Sequence, residues 1–400
     1  MNLEDIELLK KPEIYKYVDI YKNYDSKELA LKLSKNYMLP ARAIAEQVQC
    51  NQKAKKKLPS FTGKNLFFDG VALEQSSSEA TARYKSSIIS GSSIISLTGG
   101  LGIDELFFVN DFNKVVYCEL NKVIYRIFDH NISQLNISNI AVNNTDSIEY
   151  LSKQDNDSFD WIYIDPSRRD RDRRSVDLEY CSPNVYDNIE LFFQKSENVM
   201  IKTAPAYDLT EAVRRFPNLT EIHVVSLDGE CKEVLLLLNR DCVNENPKVI
   251  SVELNSRNDK RFILSSKFTN ESQKYISELK SYFYEPDCSI IKSNLTPLLA
   301  EKYNLLFINN ITPYLTNSEL IDDFPGRSFE VVHSLPFNEK VIKKYLKENN
   351  IIKANVSKRD FKLSVDEIRL RFKLKDGGEF YLFFTRNSKD KAIMIVCKKS

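Results

Sequence analysis

Between about residue 72 and residue 240 the chain alternates short apolar runs with helical stretches, and this alternation confines its fold more than any other feature. The runs are SIISL (93–97), VVYCE (115–119), residues 139–142, DWIYI (160–164), NVMIK (198–202), EIHVVS (221–226) and EVLLLL (233–238). Strands separated by helical segments form parallel βαβ units. The last two runs are joined only by SLDGECK, whereas a parallel crossover needs about a dozen residues or more. The seventh strand therefore has to run antiparallel, at the end of an otherwise parallel sheet.

With 400 residues, the chain exceeds a single core of ~100–150 residues and predicts more than one domain. Residues 1–71 read as a helical segment: apolar positions recur at three- and four-residue spacing, Asp25 and Ser26 precede one helix, and Pro40 opens the next. That helix runs out into Lys53, Lys55, Lys56 and Lys57, read as a solvated end before a phosphate-contacting patch. Residues 72–245 hold the parallel sheet. Residues 246–328 form a connecting α/β segment, and 329–400 read strand, helix, strand, helix and two strands, a small α+β domain.

At 42% hydrophobic and 28% charged residues the chain is not disordered. No apolar run approaches the ~20 residues of a membrane span, and MNLEDIELLKK lacks the order of a signal peptide, so a cytoplasmic protein is expected. Seven cysteines without a CxxC pair and three histidines predict no metal site, and His130, His223 and His333 read as structural. The net charge of +1 hides an asymmetry: residues 331–400 carry +9 and the rest −8. An anionic partner is expected at the carboxyl-terminal end.

Glycine locates the chemistry. There are ten in the chain, where average usage of about 7% would give nearly thirty. Gly99, Gly100 and Gly102 cluster after the first strand of the sheet, in Ser96-Leu-Thr-Gly-Gly-Leu-Gly, just before a helical segment. Such a turn lets a ligand approach the backbone. A GxGxxG dinucleotide turn would need glycine where Glu105 stands. Glu119 ends the second strand, where a carboxylate can accept from two ribose hydroxyls, and Asp146 follows the third, where it can meet an adenine amino group. Asp165-Pro166-Ser167-Arg168-Arg169-Asp170 follows the fourth. Ligands of open α/β sheets bind along this edge.

Together, the glycine turn, Glu119, Asp146 and Asp165-Pro166 resemble a class I S-adenosylmethionine-dependent methyltransferase, whose hallmark is the antiparallel seventh strand. EQSSSEATARYKSS, LTGGLGIDELFF, WIYIDPSRRDRD and IKTAPAYDL are similar to a bacterial group with a DPxRR motif, a ferredoxin-like segment and a carboxyl-terminal THUMP-like domain. The resemblance implies a Rossmann-like seven-stranded sheet and S-adenosylmethionine as cofactor. Thr98, Gly99, Gly100, Gly102, Glu119, Asp146 and Gln75 would bind it, with Ser77 and Thr81 of lower weight. Asp165, Pro166, Ser167 and Arg168 would form the catalytic loop. Related loops orient a target nitrogen with the first side chain and stack an aromatic on the base. Ser167 and Arg168 stand where a proline and an aromatic are usual, so Arg168 either stacks on a flipped base or holds a phosphate, or else, with Arg169, pairs with Asp170, Asp172 or carboxylates nearby. Ser96 stands where many members place an acidic residue against the methionine end. Lys202 and Thr203 lie beside the expected acceptor site.

The resemblance implies methyl transfer to a base nitrogen of RNA, with tRNA preferred because THUMP domains of relatives bind it. The basic carboxyl-terminal end and Phe372, Phe380, Tyr381 and Phe383 suit RNA binding, although EFYLFF alternates like a strand with a buried face. Ser96 and the loop without its aromatic leave open an RNA-binding protein whose methyltransferase domain has lost activity. A protein or small-molecule acceptor also stays open.

Overall fold

The structure is a computed structural model that describes residues 1–36, 39–168, 178–243, 246–257, 261–268 and 273–400. It divides into two compact units, Met1–Ile222 with Glu233–Glu245, and His223–Lys232 with Asn246–Ser400.

In the first unit, β1 (Ser93–Ser96), β2 (Lys114–Cys118), β3 (Ile140–Asn143), β4 (Phe159–Ile164) and β5 (Ser196–Thr203) are parallel. With β6 (Leu219–Leu227) and β7 (Glu230–Asn239) they are ordered β3-β2-β1-β4-β5-β7-β6. β7 runs antiparallel to β5, from Asn198 opposite Asn239 to Thr203 opposite Val234. This is the α/β architecture that the seven apolar runs predict, reversed strand included. Helices on both faces explain why these strands are unbroken apolar runs rather than alternating ones: Ile94, Ile95, Ile162, Val199, Met200 and Ile201 are all fully buried.

The amino-terminal helices α1 (Leu3–Leu9), α2 (Pro12–Ile20), α3 (Ser26–Leu33) and α4 (Ala41–Lys57) do not have a core of their own. Ile6, Val18, Leu29, Ile44 and Val48 share one buried cluster with Leu101, Phe107, Tyr117 and Phe128 of the sheet region. Asp25 caps α3 by accepting from the amides of Lys27 and Glu28, and Pro40 precedes α4. Half of the lysine run at the end of α4 is tied down: Lys53 pairs with Glu74, and Lys57 donates to the carbonyls of Leu73 and Glu74.

In the second unit, Lys248–Leu254 and Arg261–Lys267 form an antiparallel pair. A separate sheet carries Tyr282–Pro286 and Gly326–Pro336 side by side, and Gly326–Pro336 pairs on its other edge with Ala392–Lys399. The boundary expected at 328/329 thus falls inside a strand, and the segments on either side of it share one sheet. Phe283, Tyr314, Phe329 and Phe383 pack in one cluster on this sheet, and Phe372, Leu382 and Phe384 in another. Phe372 and Phe383 are core, while Phe380 and Tyr381 are half-buried.

Candidate active site

The carboxyl ends of β1 to β4 open onto a cleft of about 820 Å³. In the order β3-β2-β1-β4 they present Asp146, Glu119, the glycine turn and Asp165 along it. Three inter-strand steps of ~4.8 Å give roughly 14 Å, room for an extended nucleoside with a tail. Thr98, Gly99, Gly100, Gly102, Glu119, Asp146, Gln75, Asp165 and Ser167 all line this cleft. Pro166 is not among its lining residues. Arg168 enters only through its backbone, paired with Cys181. Its side chain, together with Arg169, Asp170 and Asp172, lies outside the described residues.

Within the turn, the glycines have different reasons. A Cβ on Gly99 would collide with the ring of Tyr117, and one on Gly102 with that of Phe128. Those two rings stack on each other at 4.2 Å between centroids. Gly99 and Gly102 are therefore small because aromatics press on the turn from the core. Gly100 alone faces open space; its φ of +54° is left-handed. Its carbonyl accepts from the Tyr117 hydroxyl at 2.6 Å.

Glu119 is held by two backbone amides. Gly100 donates to Oε2 at 2.9 Å and Asn121 to Oε1 at 2.6 Å. The first bond ties the strand-end carboxylate to the glycine turn, so the two features that looked separate in sequence are one construction. A carboxylate oxygen keeps a further lone pair after accepting one bond, so Glu119 still has acceptor capacity toward the cleft. Asp146 spends one oxygen locally: Oδ1 caps helix Ser147–Ser152, accepting from Ile148 and Glu149 at 2.9 and 3.0 Å. Gln75 is exposed at the end of helix Gly70–Gln75. Ser78 and Thr81 form a capping box at the start of α5 (Glu79–Ser87), so Thr81 serves the helix rather than the cleft.

Asp165 is fixed from two sides. Its amide donates to the Thr98 hydroxyl at 2.7 Å, and Lys202 Nζ lies 2.5 Å from its Oδ2. Burial works against the charge on Lys202, but Asp165, Asp104 and Glu233 outweigh it and hold this ammonium well above the usual lysine range. No partner of Asp165 Oδ1 is present among the described residues.

A crystal structure from Porphyromonas gingivalis W83 that carries a provisional methyltransferase designation superposes on the whole of this chain. The TM-score is 0.84 at 27% identity, covering 100% of this chain and 99% of the other. The chain is an S-adenosylmethionine-dependent methyltransferase of Rossmann-like fold. Residues 326–399 of this methyltransferase match the family described as THUMP domain-like. An uncharacterized S-adenosylmethionine-dependent methyltransferase from two strains of Mycobacterium tuberculosis is 20% identical over 350 residues, 86% of this chain and 92% of the relative.

Behind the methyltransferase cleft, reached through its lining residues Ser77, Asp104 and Tyr163, lies a buried charge cluster that the motifs do not announce. Lys85 is fully buried, with Nζ 2.7 and 2.8 Å from the two oxygens of Glu233, 3.2 Å from Ser77 Oγ and 3.3 Å from Asp104 Oδ1. The other oxygen of Asp104 accepts from Tyr163 at 2.7 Å and Ser77 at 3.0 Å. Burial opposes ionisation of Asp104, yet Lys85 and Lys202 hold its carboxyl below the usual range. Ser77 thus acts through Asp104. The available signal was local: GID at residues 102–104 puts an aspartate at the start of the helix after the turn, and ARYKSS puts a lysine on an otherwise interior helix. Their pairing across 148 residues, Lys85 to Glu233, has no local signature.

His130 stacks on Phe67 and His333 on Tyr345; neither lines the cleft. Among the described residues no group of three or more histidines, cysteines or carboxylates is placed to hold a metal ion. Among the same residues, no helix is long and apolar enough to cross a membrane.

Proposed function

We propose that this methyltransferase acts on a nitrogen of an RNA base, with tRNA the first candidate, and that the THUMP-like region holds the RNA. The residues at the cleft fit the cofactor. Glu119 offers acceptors for ribose hydroxyls, Asp146 Oδ2 an acceptor for an adenine amine, and Gly100 an open, side-chain-free face for the tail. When bound, S-adenosylmethionine supplies an electrophilic methyl group that an acceptor lone pair takes while the sulfonium becomes a thioether.

The protein's own part is placement. Thr98 fixes the backbone of Asp165 and Lys202 fixes one carboxylate oxygen, which leaves Oδ1 to accept a hydrogen bond from the target amine and aim its lone pair. That arrangement is the observation that carries the nitrogen-acceptor reading. Pro166, Ser167 and Arg168 extend the same loop over the acceptor side.

RNA as acceptor is supported by the charge of the carboxyl-terminal residues, +9 over 331–400. Lys340, Lys347, Lys353, Lys362, Lys373 and Lys375 are exposed there, and unpaired lysines are what phosphate contacts require. The protein is taken to work in the cytoplasm, where RNA is met. Incubation of the protein with methyl-labelled S-adenosylmethionine and separate RNA, protein and metabolite fractions tests the reading. Label in RNA is expected; label only in the other fractions refutes it.

A further inference from the structure

Glu105 is a carboxylate in an expensive place. It is the first residue of the helix Glu105–Asp111, it lines the cleft, and it is 1% exposed. Its Oε1 has no hydrogen-bond partner among the described residues. A buried carboxylate without a cation costs several kcal/mol, so an unanswered one at a ligand cleft asks what answers it.

The neighbours do not. The carboxylates that act on Glu105 are Asp104 before it and Asp165 after β4, with Tyr117 on β2 as a neighbour, and the ammonium groups that answer those two carboxylates are Lys85 on α5 and Lys202 on β5. Both ammonium groups are already engaged by other carboxylates, Lys85 by Glu233 and Asp104 and Lys202 by Asp165. With both ammonium groups taken, Glu105 has no cation of its own and is held largely protonated at neutral pH until one arrives from outside. Ser96, at the end of β1, is fully buried, and its Oγ, like Glu105 Oε1, makes no hydrogen bond among the described residues, although it lies near enough to lower the Glu105 carboxyl.

We propose that Glu105 binds the ammonium group of the amino-acid end of S-adenosylmethionine, so that in this chain the helix supplies the carboxylate which Ser96 does not supply from the strand. The proposal rests on the reading of the cleft as the cofactor site. It has a consequence in protons. Burial pushes the Glu105 carboxyl up to about 8 and the charge of Asp104 adds to the rise, while Ser96 and the backbone amide hold it back. An arriving ammonium favours the ionised form, so binding at neutral pH expels a proton, and affinity rises with pH until the carboxyl is ionised without ligand.

Calorimetry on the full chain, in buffers of different ionisation enthalpy, tests this with two probes. S-adenosylhomocysteine carries the ammonium; 5′-methylthioadenosine has the nucleoside without the amino-acid tail. For the wild type, S-adenosylhomocysteine is expected to release close to one proton and to bind roughly tenfold tighter at pH 7 than at pH 6, a window below the ~8 of an α-amino group. Methylthioadenosine should show neither effect. Glu105→Gln should weaken S-adenosylhomocysteine at least about tenfold at pH 7.5 and abolish proton release, with methylthioadenosine bound as in wild type. Ser96→Asp added to Glu105→Gln should recover the lost affinity. A wild type that binds S-adenosylhomocysteine without releasing a proton overturns the proposal and leaves the cofactor reading intact, as does a Glu105→Gln protein with unchanged release. A wild type that binds neither probe overturns the cofactor reading itself. If Glu105→Gln does not fold, the wild-type proton count still decides.

Discussion

Lys202 Nζ stands 2.5 Å from Asp165 Oδ2, and the same ammonium answers the buried charges of Asp104 and Glu233. One lysine thereby joins the Asp165 loop to the buried charge cluster of Lys85, Asp104 and Glu233. Asp165 itself is partly exposed, at 39% of its side chain, so its removal should not disturb the core. Asp165→Ala is expected to lower the single-turnover transfer rate at least ~100-fold, as loss of a positioned polar group does, and to leave S-adenosylhomocysteine affinity within about threefold. A comparable loss of affinity in calorimetry would contradict the assignment to the acceptor.

Glu119 has the opposite signature. It accepts from Gly100 and Asn121 and, in the reading proposed above, from the ribose hydroxyls as well, and a hydrogen bond to a charged group is worth about 1.5–3 kcal/mol. Glu119→Ala should therefore weaken S-adenosylhomocysteine and 5′-methylthioadenosine alike, roughly 10- to 100-fold. Weakening of the first without the second would place Glu119 against the tail rather than the ribose.

These two residues also mark how far the sequence carries. Glu119, Asp146 and Asp165 were legible because strand order forces successive strand ends onto one edge, and a carboxylate at such an end needs no tertiary knowledge to be noticed. The glycine turn lines the cleft, but two of its glycines have another reason: Gly99 and Gly102 answer to Tyr117 and Phe128, whose approach depends on packing between β2 and the helix after it. Lys85, Asp104 and Glu233 were out of reach, since a buried ion cluster is assembled from α5, the turn and β7 and each member looks like a surface residue in isolation. Arg168 was visible as a motif, but its side chain lies outside the described residues.

That cluster makes its own prediction. Lys85 has no exposure and serves both Glu233 and Asp104; its replacement by methionine strands two buried carboxylates. Loss of one partner of a buried pair costs about 3–5 kcal/mol, so Lys85→Met should lower the urea-unfolding free energy by about that much. Adding Glu233→Leu should return part of the loss. Additive costs would mean that the two side chains are not coupled.

Glu105 bears on stability in the absence of cofactor. Its carboxyl lies near 8 in the folded protein against an ordinary 4.5. A raised folded value contributes stability that is complete below about pH 4.5 and is lost as the pH rises through about 8. Wild type should therefore lose stability relative to Glu105→Gln between pH 5 and pH 8.5, by up to on the order of 4 kcal/mol. Urea titrations at the two ends of that window, without ligand, check it. A difference that stays constant across the window would mean that Glu105 titrates as an ordinary carboxylate.

The THUMP-like region offers the most direct test of RNA as partner. Lys340, Lys347 and Lys373 are exposed, so charge reversal there should spare the fold, and binding of the cofactor product in the other compact unit serves as the control. Each phosphate contact contributes about 0.7–0.9 to the slope of log affinity against log salt. Lys340→Glu, Lys347→Glu and Lys373→Glu combined should therefore weaken binding to unfractionated tRNA and flatten that slope by about 2 to 3. Filter binding over a range of KCl concentrations measures both quantities. An unchanged slope with unchanged affinity would remove these lysines from the RNA surface, and a wild-type slope near zero would remove RNA from the list of partners that charge can recognise.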